Sequence, residues 1–432
     1  MSTAERRSAG LSAVVVGASV SFIALWSAMI FEFVTKGWWV VAVEPSRRFE
    51  DLYERFSDGS VLLHGGNLYA LRPQLNNTNP PFVTLAYLPL RVLGHSGGAY
   101  VMTFISTACI AAVAIIAIRQ VTAIDRLTAI LLGSFVGVPV ALLTSYPLQV
   151  MYREGQIRAL VMVLVVADLL LVPRRFRGLL IGIAAGLTLT PLAFALILWF
   201  RDGRSAVLRA IAAMLATMLV GLAAGLGASA HFWFSMLPSG QQVNLVVTNM
   251  ATVARGTPDF GLRSNASLLA ALSRPPMSDV LGLGAAKALA VLLGLVVLVL
   301  VAFATRVLVR RSLPLSAIVL IAVFTLVFSP VSWEHYWIWT LLCPFVAIEL
   351  WGQERFRLAA CGSIILLAAT ATDSLGVRYS VATGRLSSIV LIPVRNLYVT
   401  AGLIFLATML ISVARSRHHT PSERAPLSAP AG

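Results

Sequence analysis

The polar residues of this chain fall into four short clusters that carry the groups needed for acid–base chemistry and for anion binding. The clusters read RFEDLYERFSDG (48–59), MYREGQIR (151–158), FGLRSNASL (260–268) and SWEH (332–335). Their carboxylates can accept a proton from a hydroxyl, and their arginines and histidine can bind an anion. A base beside an anion site fits two functions: displacement of a phosphate leaving group by a hydroxyl, and proton-coupled transport of an anion.

Motifs for several other chemistries are absent from the sequence. It has no P-loop, no GxGxxG after a strand, no HExxH and no CxxC, and no serine stands in a nucleophile elbow. Cys109, Cys343 and Cys361 are dispersed through apolar segments, where they are expected to pack as small hydrophobic residues. We therefore predict neither a metal ion nor a cofactor.

The elements that must position the clusters are membrane-spanning helices. The chain is 58% hydrophobic and 12% charged, and many of its apolar stretches approach the length, about 20 residues, that crosses a bilayer as a helix. The net charge of +15 includes arginine clusters at the ends of these stretches, which is the positive-inside pattern and not a groove for nucleic acid. We predict an all-α polytopic membrane protein whose arginines contact anionic phospholipid.

The arginine bias also predicts the orientation. Residues 11–30 are expected to form an uncleaved first helix with its basic start inside, so that residues 35–81 and 228–283 face outward. Residues 82–93 are too few to span and are expected to lie in the interface. Further spans are expected near 97–118, 126–146, 157–172, 206–227, 284–309, 314–330, 335–351, 357–372 and 389–413.

Residues 178–199 are expected to enter the membrane and return, with a single crossing as the alternative. Arginines flank both sides of this segment, and both flanks fall inside if Pro191 marks a turn. Asp168, just upstream, is expected to pair with Arg174 or Arg175. With the hairpin counted twice, the chain has about twelve membrane segments. They form one domain, residues 1–413, and a disordered inner tail follows at 414–432.

This topology places all four polar clusters at the outer face. Polar groups near a bilayer tend to line cavities, so an external cavity is the predicted site. The aromatic residues after position 332 are expected at the membrane surface, as an aromatic belt and a wall for a sugar. They are Trp333, Tyr336, Trp337 and Trp339.

Six sequence elements, in order along the chain, resemble those of glycosyltransferase family 87. They are Asp51-Leu52 followed by Leu68-Tyr69, then Asn79-Pro80-Pro81-Phe82 with Leu88-Pro89-Leu90, Gly155-Gln156-Ile157, Leu189-Thr190-Pro191, Asn265-Ala266-Ser267-Leu268 and SPVSWEH at 329–335. The last is the most specific, because it resembles the Ser-Pro-x-Ser-Trp-x-His element of the mannosyl branch.

The resemblance implies a GT-C fold and an inverting transfer at the outer face of the plasma membrane. The donor would be a polyprenyl-phosphate sugar, with mannose expected, and the acceptor a hydroxyl of a cell-envelope glycolipid or lipoglycan. Asp51 matches the family's catalytic base. Two alternatives stay open: an arabinofuranosyltransferase that uses polyprenyl-phosphate arabinofuranose, and a non-enzymatic transporter of envelope lipids or anions.

The neighbours of Asp51 leave its role open in two further ways. It could be an exposed carboxylate paired with Arg47, Arg48 or Arg55, and surface ion pairs of that kind are common and weak. Glu50 and Asp58 are its rivals as the base.

The chain departs from the family pattern at three positions. Thr188 stands where mannosyl members tend to carry lysine, Arg158 replaces an asparagine, and Asn79 replaces a tyrosine. Because a lysine would meet the donor phosphate, we predict that Arg158, together with His335, binds the departing phosphate instead. The further residues predicted to bind substrate are Glu334, Gln156, Asn265, Ser267, Thr188 and Arg263. For His335 the alternative is a cap at a helix start in the membrane interface.

Overall fold

The computed structural model describes residues 49–66, 68–69, 79–239, 265–274, 277–371 and 392–416. The predicted first helix at 11–30, Arg263 and residues 417–432 of the predicted tail lie outside these ranges. The last helix ends at Arg415, two residues past the predicted boundary of the domain.

The helices of the described residues follow one another in this order: α1 (Glu50–Leu63), α2 (Pro81–Arg91), α3 (Gly94–Val121), α4 (Arg126–Thr144), α5 (Tyr146–Glu154), α6 (Arg158–Leu170), α7 (Leu179–Leu187), α8 (Ala195–Asp202), α9 (Arg204–Ala224), α10 (Leu226–His231), α11 (Leu268–Leu272), α12 (Met277–Arg310), α13 (Pro314–Phe328), α14 (Cys343–Trp351), α15 (Arg357–Thr370), α16 (Ile392–Arg395) and α17 (Leu397–Arg415). Short 3₁₀ helices lie at Thr190–Phe194, Glu334–Leu342 and Glu354–Phe356.

Five of these helices are long and apolar enough to cross a membrane: α3, α4, α9, α17 and the part of α12 from Val280 to Arg310. The described ranges contain no β-strand, and their single antiparallel bridge joins Asn265 to Trp333. The prediction of an all-α protein with several membrane-spanning helices is confirmed. The total of about twelve membrane segments stays a prediction.

α13 lies at the centre of the helix bundle. It has 15 residues, and every one from Leu315 to Val323 is buried. A helix that is apolar all round must be covered on every side, and α12, α14 and α17 pack against α13. Its last residue, Phe328, leads directly into the SPVSWEH segment, so the centre of the bundle holds that segment in place.

One end of the bundle is basic. Several arginines lie in the first or last turn of apolar helices: Arg119 of α3, Arg204 of α9, Arg310 of α12 and Arg415 of α17. The Arg311 guanidinium donates to the Ser416 carbonyl over 3.1 Å, which joins the ends of α12 and α17. The polar clusters that contain Asp51 and His335 lie at the opposite ends of the helices that they flank.

The segment predicted to form a hairpin reverses its direction. An added methyl group at Gly186 would come 1.9 Å from the Thr217 hydroxyl oxygen, so α7 lies tightly along α9. Arg177, just before α7, pairs with Asp202 at the end of α8, with 2.8 Å between Nη1 and Oδ1. The start of α7 and the end of α8 therefore lie together, and the chain turns in the 3₁₀ helix Thr190–Phe194.

Asp168 holds the open end of this reversal. Its carboxylate accepts hydrogen bonds from the backbone N–H groups of Gly178, at 2.7 Å, and Ile181, at 2.8 Å. The predicted pairing with Arg174 or Arg175 is wrong. The first N–H groups of α7 have no acceptor within the helix, and the buried carboxylate of Asp168 accepts from them. Its bonds to these groups are more favourable than an ion pair with a guanidinium in solvent.

Candidate functional site

The start of α1 is fixed to the junction between α5 and α6. The backbone N–H of Phe49 donates to the Arg153 carbonyl over 2.7 Å, and the Tyr87 hydroxyl donates to the Gly155 carbonyl over 3.3 Å. Leu52 is fully buried in the same contact. These contacts bring together the first and second polar clusters, which lie about 100 positions apart in the chain.

Gly155 makes this junction possible. The Gly155 N–H donates to the Tyr152 carbonyl at 3.2 Å and the Gln156 N–H to the Met151 carbonyl at 3.1 Å, which closes the C-terminus of α5. Gly155 has φ of 70°, in the left-handed region. A methyl group there would lie 2.9 Å from Cβ of Leu52. Glycine is therefore needed for both the turn and the close approach of α1.

Gly155→Ala is expected to loosen the junction. The left-handed conformation costs a residue with a side chain about 1–2 kcal/mol, and the added methyl group pushes α1 away. Thermal unfolding should occur at a lower temperature, and sugar transfer should fall by roughly 10- to 100-fold because Asp51 moves. Gly227→Ala is the matched control, since its helical site has no atom within 4 Å of an added methyl group. A lowered unfolding temperature with an unchanged transfer rate would contradict the positioning role.

Asp51, Glu154 and His335 form the centre of the site. One ligand atom from each lies within 4.8 Å of the others. The Gln156 amide donates to the Asp51 carboxylate. Nδ1 of His335 lies 2.8 Å from Oε2 of Glu154. Three of the four polar clusters thus meet, and a base, an amide and an imidazole face one another.

The environment of Asp51 favours its protonated form. Burial raises the pKa of Asp51 above its ordinary value, and the Glu154 carboxylate adds to the rise. The positive charges of His335 and Arg55 and the hydrogen bond from Gln156 act in the opposite direction. An aspartate whose pKa lies above its ordinary value is closer to the working pH and is a stronger proton acceptor.

The other acidic residues of α1 are placed differently. Asp58 is buried and pairs with Arg55, with 2.8 Å between Oδ2 and Nη1. The ion pair of Arg55 is therefore with Asp58, and the predicted alternative of a pair between Arg55 and Asp51 is not formed. The Glu50 side chain, Arg47 and Arg48 lie outside the described residues. Tyr69 lies beyond the far end of α1, where its hydroxyl donates to the Asn79 carbonyl over 2.9 Å.

Arg158 lies against Tyr336 at the edge of this centre. Its guanidinium carbon is 3.5 Å from the centroid of the Tyr336 ring, a cation–π contact. Arg158 is 9% exposed, and its Nε has no hydrogen-bond partner among the described residues. The Tyr336 ring also lies 4.8 Å from the His335 ring, centroid to centroid, so the guanidinium and the imidazole pack against the same side chain. A buried guanidinium with an unused N–H suits an anionic ligand.

A cavity opens beside Arg158 between three parts of the fold. The start of α6, the turn after α7 and the end of α13 with the segment that follows it form its walls. The lining residues are Arg158, Val161, Thr190, Pro191, Phe194, Thr325, Leu326, Ser329, Val331, Ser332, Tyr336 and Trp339. The walls are mostly apolar and carry one cation, which suits a phosphate ester with an apolar tail.

Asn265 and Ser267 hold the backbone of the SPVSWEH segment. The Asn265 amide donates to the Pro330 carbonyl over 3.2 Å, and its oxygen accepts from the Ser332 N–H over 2.9 Å. The Ser267 hydroxyl also donates to the Pro330 carbonyl, over 3.2 Å. Both side chains are fully buried. Their recorded contacts position His335 through the backbone, and direct binding of substrate by either stays a prediction.

The remaining predicted residues lie around the site at different depths. Glu334 is buried at the start of the 3₁₀ helix that follows Trp333. Thr188 is buried where α7 ends, and its hydroxyl has no hydrogen-bond partner within the described ranges. Trp337 is fully buried against Tyr398, and so it does not form part of a surface belt. Its ring packs inside the helix bundle, where Tyr398 of α17 covers it.

The central triad also has the composition of a cation site. Aspartate, glutamate and histidine ligate divalent ions, and these three offer one ligand atom each. Each already has a protein partner, however, because Gln156 binds Asp51 while Glu154 and His335 bind each other. These contacts leave a second carboxylate oxygen on Asp51 and on Glu154, and Nε2 of His335 has no hydrogen-bond partner within the described residues.

Glu154 was not predicted as a site residue, although it lies in the second polar cluster. Its signal in the sequence is its place directly before Gly155-Gln156. The contact with His335 joins residues 181 positions apart, and the spacing of neither cluster indicates it.

Comparison with known proteins identifies the family. The model of glycosyltransferase family 87 matches residues 77–330. The chain is 28% identical over 361 residues to a polyprenol-phosphate-mannose-dependent alpha-(1-2)-phosphatidylinositol mannoside mannosyltransferase of Mycobacterium tuberculosis, which covers 78% of this chain and 79% of that protein. A protein of the same description from Mycolicibacterium smegmatis is 32% identical over 221 residues, 48% of this chain and 45% of that protein.

A third relative differs in its described acceptor. It is a polyprenol-phosphate-mannose-dependent alpha-(1-2)-phosphatidylinositol pentamannoside mannosyltransferase of Mycolicibacterium smegmatis, 25% identical over 311 residues, 70% of each chain. No solved structure matches this chain. The family model covers more than half of the sequence, and the chain therefore belongs to glycosyltransferase family 87.

Proposed function

We propose that this glycosyltransferase moves a mannosyl residue from polyprenyl-phosphate mannose to a hydroxyl of a phosphatidylinositol mannoside or related envelope glycolipid. The observation that carries the proposal is the meeting of Asp51 with His335, next to the Tyr336 ring on which Arg158 packs. A base, an imidazole and a buried cation are the groups that such a displacement requires. The described substrates of the relatives support mannose as the sugar.

Asp51 is the proposed general base. The acceptor hydroxyl gives its proton to the Asp51 carboxylate while its oxygen attacks the anomeric carbon from the face opposite the phosphate. The Gln156 amide on the other carboxylate oxygen keeps Asp51 in one orientation. A single displacement of this kind inverts the anomeric centre, because no covalent sugar–enzyme intermediate forms.

Arg158 and His335 are the proposed ligands of the departing phosphate. As the bond between the anomeric carbon and the phosphate oxygen breaks, negative charge gathers on the polyprenyl phosphate. Two cationic or N–H donor groups placed beforehand stabilise that charge without rearranging. The apolar walls of the cavity beside Arg158 suit the first part of the polyprenyl chain.

We propose that the reaction needs no metal ion. The charge that a metal would supply at the phosphate is available from Arg158, whose Nε has no hydrogen-bond partner within the described ranges. Measurement of sugar transfer in the presence of a chelator tests this proposal directly.

The proposed location is the plasma membrane with the site at its outer face. The basic ends of α3, α9, α12 and α17 are the inner ends by the positive-inside rule. The reversal between α7 and α8 then begins and ends inside, as a re-entrant hairpin. The five candidate spans and the shorter apolar helices together give the proposed total of about twelve membrane segments.

Cysteine labelling tests this orientation. Ser57 and Ser205 are exposed, and Cys109 and Cys343 are buried, so only Cys361 needs to be replaced by alanine first. In intact cells, a membrane-impermeant maleimide should label Ser57→Cys and should label Ser205→Cys only after permeabilisation. External labelling of Ser205→Cys would rule out the inner end at residues 203–205 and with it the hairpin.

A comparison of donors tests the proposed sugar. Purified enzyme in lipid nanodiscs is given a phosphatidylinositol mannoside acceptor with polyprenyl-phosphate mannose or with polyprenyl-phosphate arabinofuranose, and the glycolipid products are identified by mass spectrometry. We expect addition of a hexose. Addition of a pentose alone would assign the arabinofuranosyl alternative, and no product with either donor would contradict the function.

A further inference from the structure

Glu154 makes a contact that the proposed mechanism leaves without a role. Its Oε2 lies 2.8 Å from Nδ1 of His335. His335 is 4% exposed, and its Nε2 is buried with no hydrogen-bond partner in the part of the chain that the structure describes. One nitrogen of the imidazole is therefore held by the protein, and the other is unused.

The fold itself does not account for a carboxylate at this position. α5 ends at Glu154, and the backbone N–H groups of Gly155 and Gln156 close that end. The C-terminus of a helix carries partial negative charge, so an acidic residue in the last turn is disfavoured there. The charge of Glu154 is explained by its contact with His335 and not by the stability of α5.

The chemistry of imidazole indicates what the contact does. A carboxylate at Nδ1 fixes the orientation of the ring and stabilises its doubly protonated form. Phosphate oxygens accept hydrogen bonds, so Nε2 must carry a proton to bind one. A ring held by Glu154 at Nδ1 can present a charged Nε2–H to an anion.

We infer that Glu154 is a positioning residue for the donor phosphate: it holds the His335 ring at Nδ1 and leaves Nε2–H available to that phosphate. The inference rests on the proposed function, because it assigns this role within the same site. Glu154 acts through His335 and contacts no substrate atom itself. The sugar is not part of the inference, since the phosphate is common to every polyprenyl-phosphate donor.

Other charged and titratable groups face the pair and decide which measurement is clean. They are Asp51 and Arg55 of α1, Arg158 of α6, and Tyr336 of the same 3₁₀ helix as His335. Removing the charge of Glu154 also alters Asp51, which would confuse a transfer rate. Binding of polyprenyl phosphate without a sugar needs no base, so it reports on the phosphate contact alone.

The experiment measures how tightly the protein, in nanodiscs of neutral lipid, binds polyprenyl phosphate at pH 7. For Glu154→Gln we expect the affinity to fall by roughly tenfold, the scale for loss of a charged hydrogen bond. Arg153→Gln, at the exposed neighbouring position, should match wild type.

Two further variants separate positioning from a general loss of structure. Glu154→Asp keeps the negative charge but places it one methylene further from the ring. Its affinity for polyprenyl phosphate should lie between those of wild type and Glu154→Gln. The double variant Glu154→Gln/His335→Gln should bind no more weakly than His335→Gln alone, because Glu154 acts through His335.

The outcomes distinguish this inference from the proposed function. Glu154→Gln affinity for polyprenyl phosphate that equals that of wild type, or losses that multiply in the double variant, would overturn the role of Glu154. His335→Gln binding like wild type would overturn the role of His335 and this inference together. Failure of the wild-type protein to bind polyprenyl phosphate would instead overturn the proposed donor.

Discussion

The Asp51→Asn enzyme is expected to lose at least about 10²-fold of its transfer rate while remaining folded, because a positioned general base contributes on that scale. Asparagine keeps the size of aspartate and can still bind the Gln156 amide, but it cannot accept the acceptor's proton. Transfer is measured with the purified enzyme, and folding by its thermal unfolding temperature. Asp125→Asn is the matched control, since exposed Asp125 caps α4 and asparagine caps a helix equally well.

The pH dependence of the wild-type enzyme follows from the raised pKa of Asp51. The base works only when it is deprotonated, so the rate falls as the pH falls through that pKa. The acidic limb of the profile should therefore lie at a higher pH than the ordinary pKa of an aspartate would place it. Near-normal turnover by Asp51→Asn would move the role to Glu50 or Asp58.

Arg158→Ala is expected to weaken use of the donor by about 2–4 kcal/mol, which corresponds to roughly 30- to 900-fold in kcat/KM for the donor. The donor phosphate lies beside apolar walls, where an anion without a partner is costly. Alanine also removes the contact with Tyr336, whose ring lies 4.8 Å from the ring of His335, centroid to centroid. The measurement is the donor dependence of the transfer rate.

Two companion variants make the Arg158 result specific. Arg153→Ala removes a nearby exposed arginine and should behave like wild type. Thr188→Lys, added to Arg158→Ala, should recover part of the loss, because the family resemblance implies a lysine at this position. Normal transfer by Arg158→Ala, with loss in Arg153→Ala or Arg263→Ala, would place the phosphate elsewhere.

The parts of the fold that depend on local composition could be predicted from the sequence. The long apolar helices α3, α4, α9 and α17 coincide with predicted spans, since a membrane helix satisfies its own backbone and needs only enough apolar residues. An ion pair between Arg177 and Asp202 joins the two ends of the segment predicted as a hairpin, and its re-entry into the membrane stays a prediction.

The arrangement inside the site depends on contacts between distant residues and could be predicted only in part. Asp51 and Gln156 were both predicted, but their hydrogen bond follows from the turn at Gly155, whose conformation the sequence does not display. Asn265 and Ser267 were predicted to bind substrate, whereas their recorded bonds hold the backbone at Pro330 and Ser332. An amide can serve either purpose, and only the neighbouring chain decides which.

Asp168 shows the same limit in a different way. Its charge and the nearby arginines suggested an ion pair, yet the unfilled N–H groups at the start of α7 bind it instead. Which of several possible partners a buried carboxylate takes depends on where α7 begins, and the sequence alone does not place Gly178 against Asp168.

The most direct test of the central claim is the configuration of the product formed without metal. Purified wild-type enzyme is incubated with β-configured polyprenyl-phosphate mannose, a phosphatidylinositol mannoside acceptor and excess EDTA, and the new linkage is assigned by NMR. We expect transfer to continue and the product to carry an α-linked mannose, the inverted configuration. A β-linked product, or transfer that stops with EDTA and returns with a divalent cation, would contradict it.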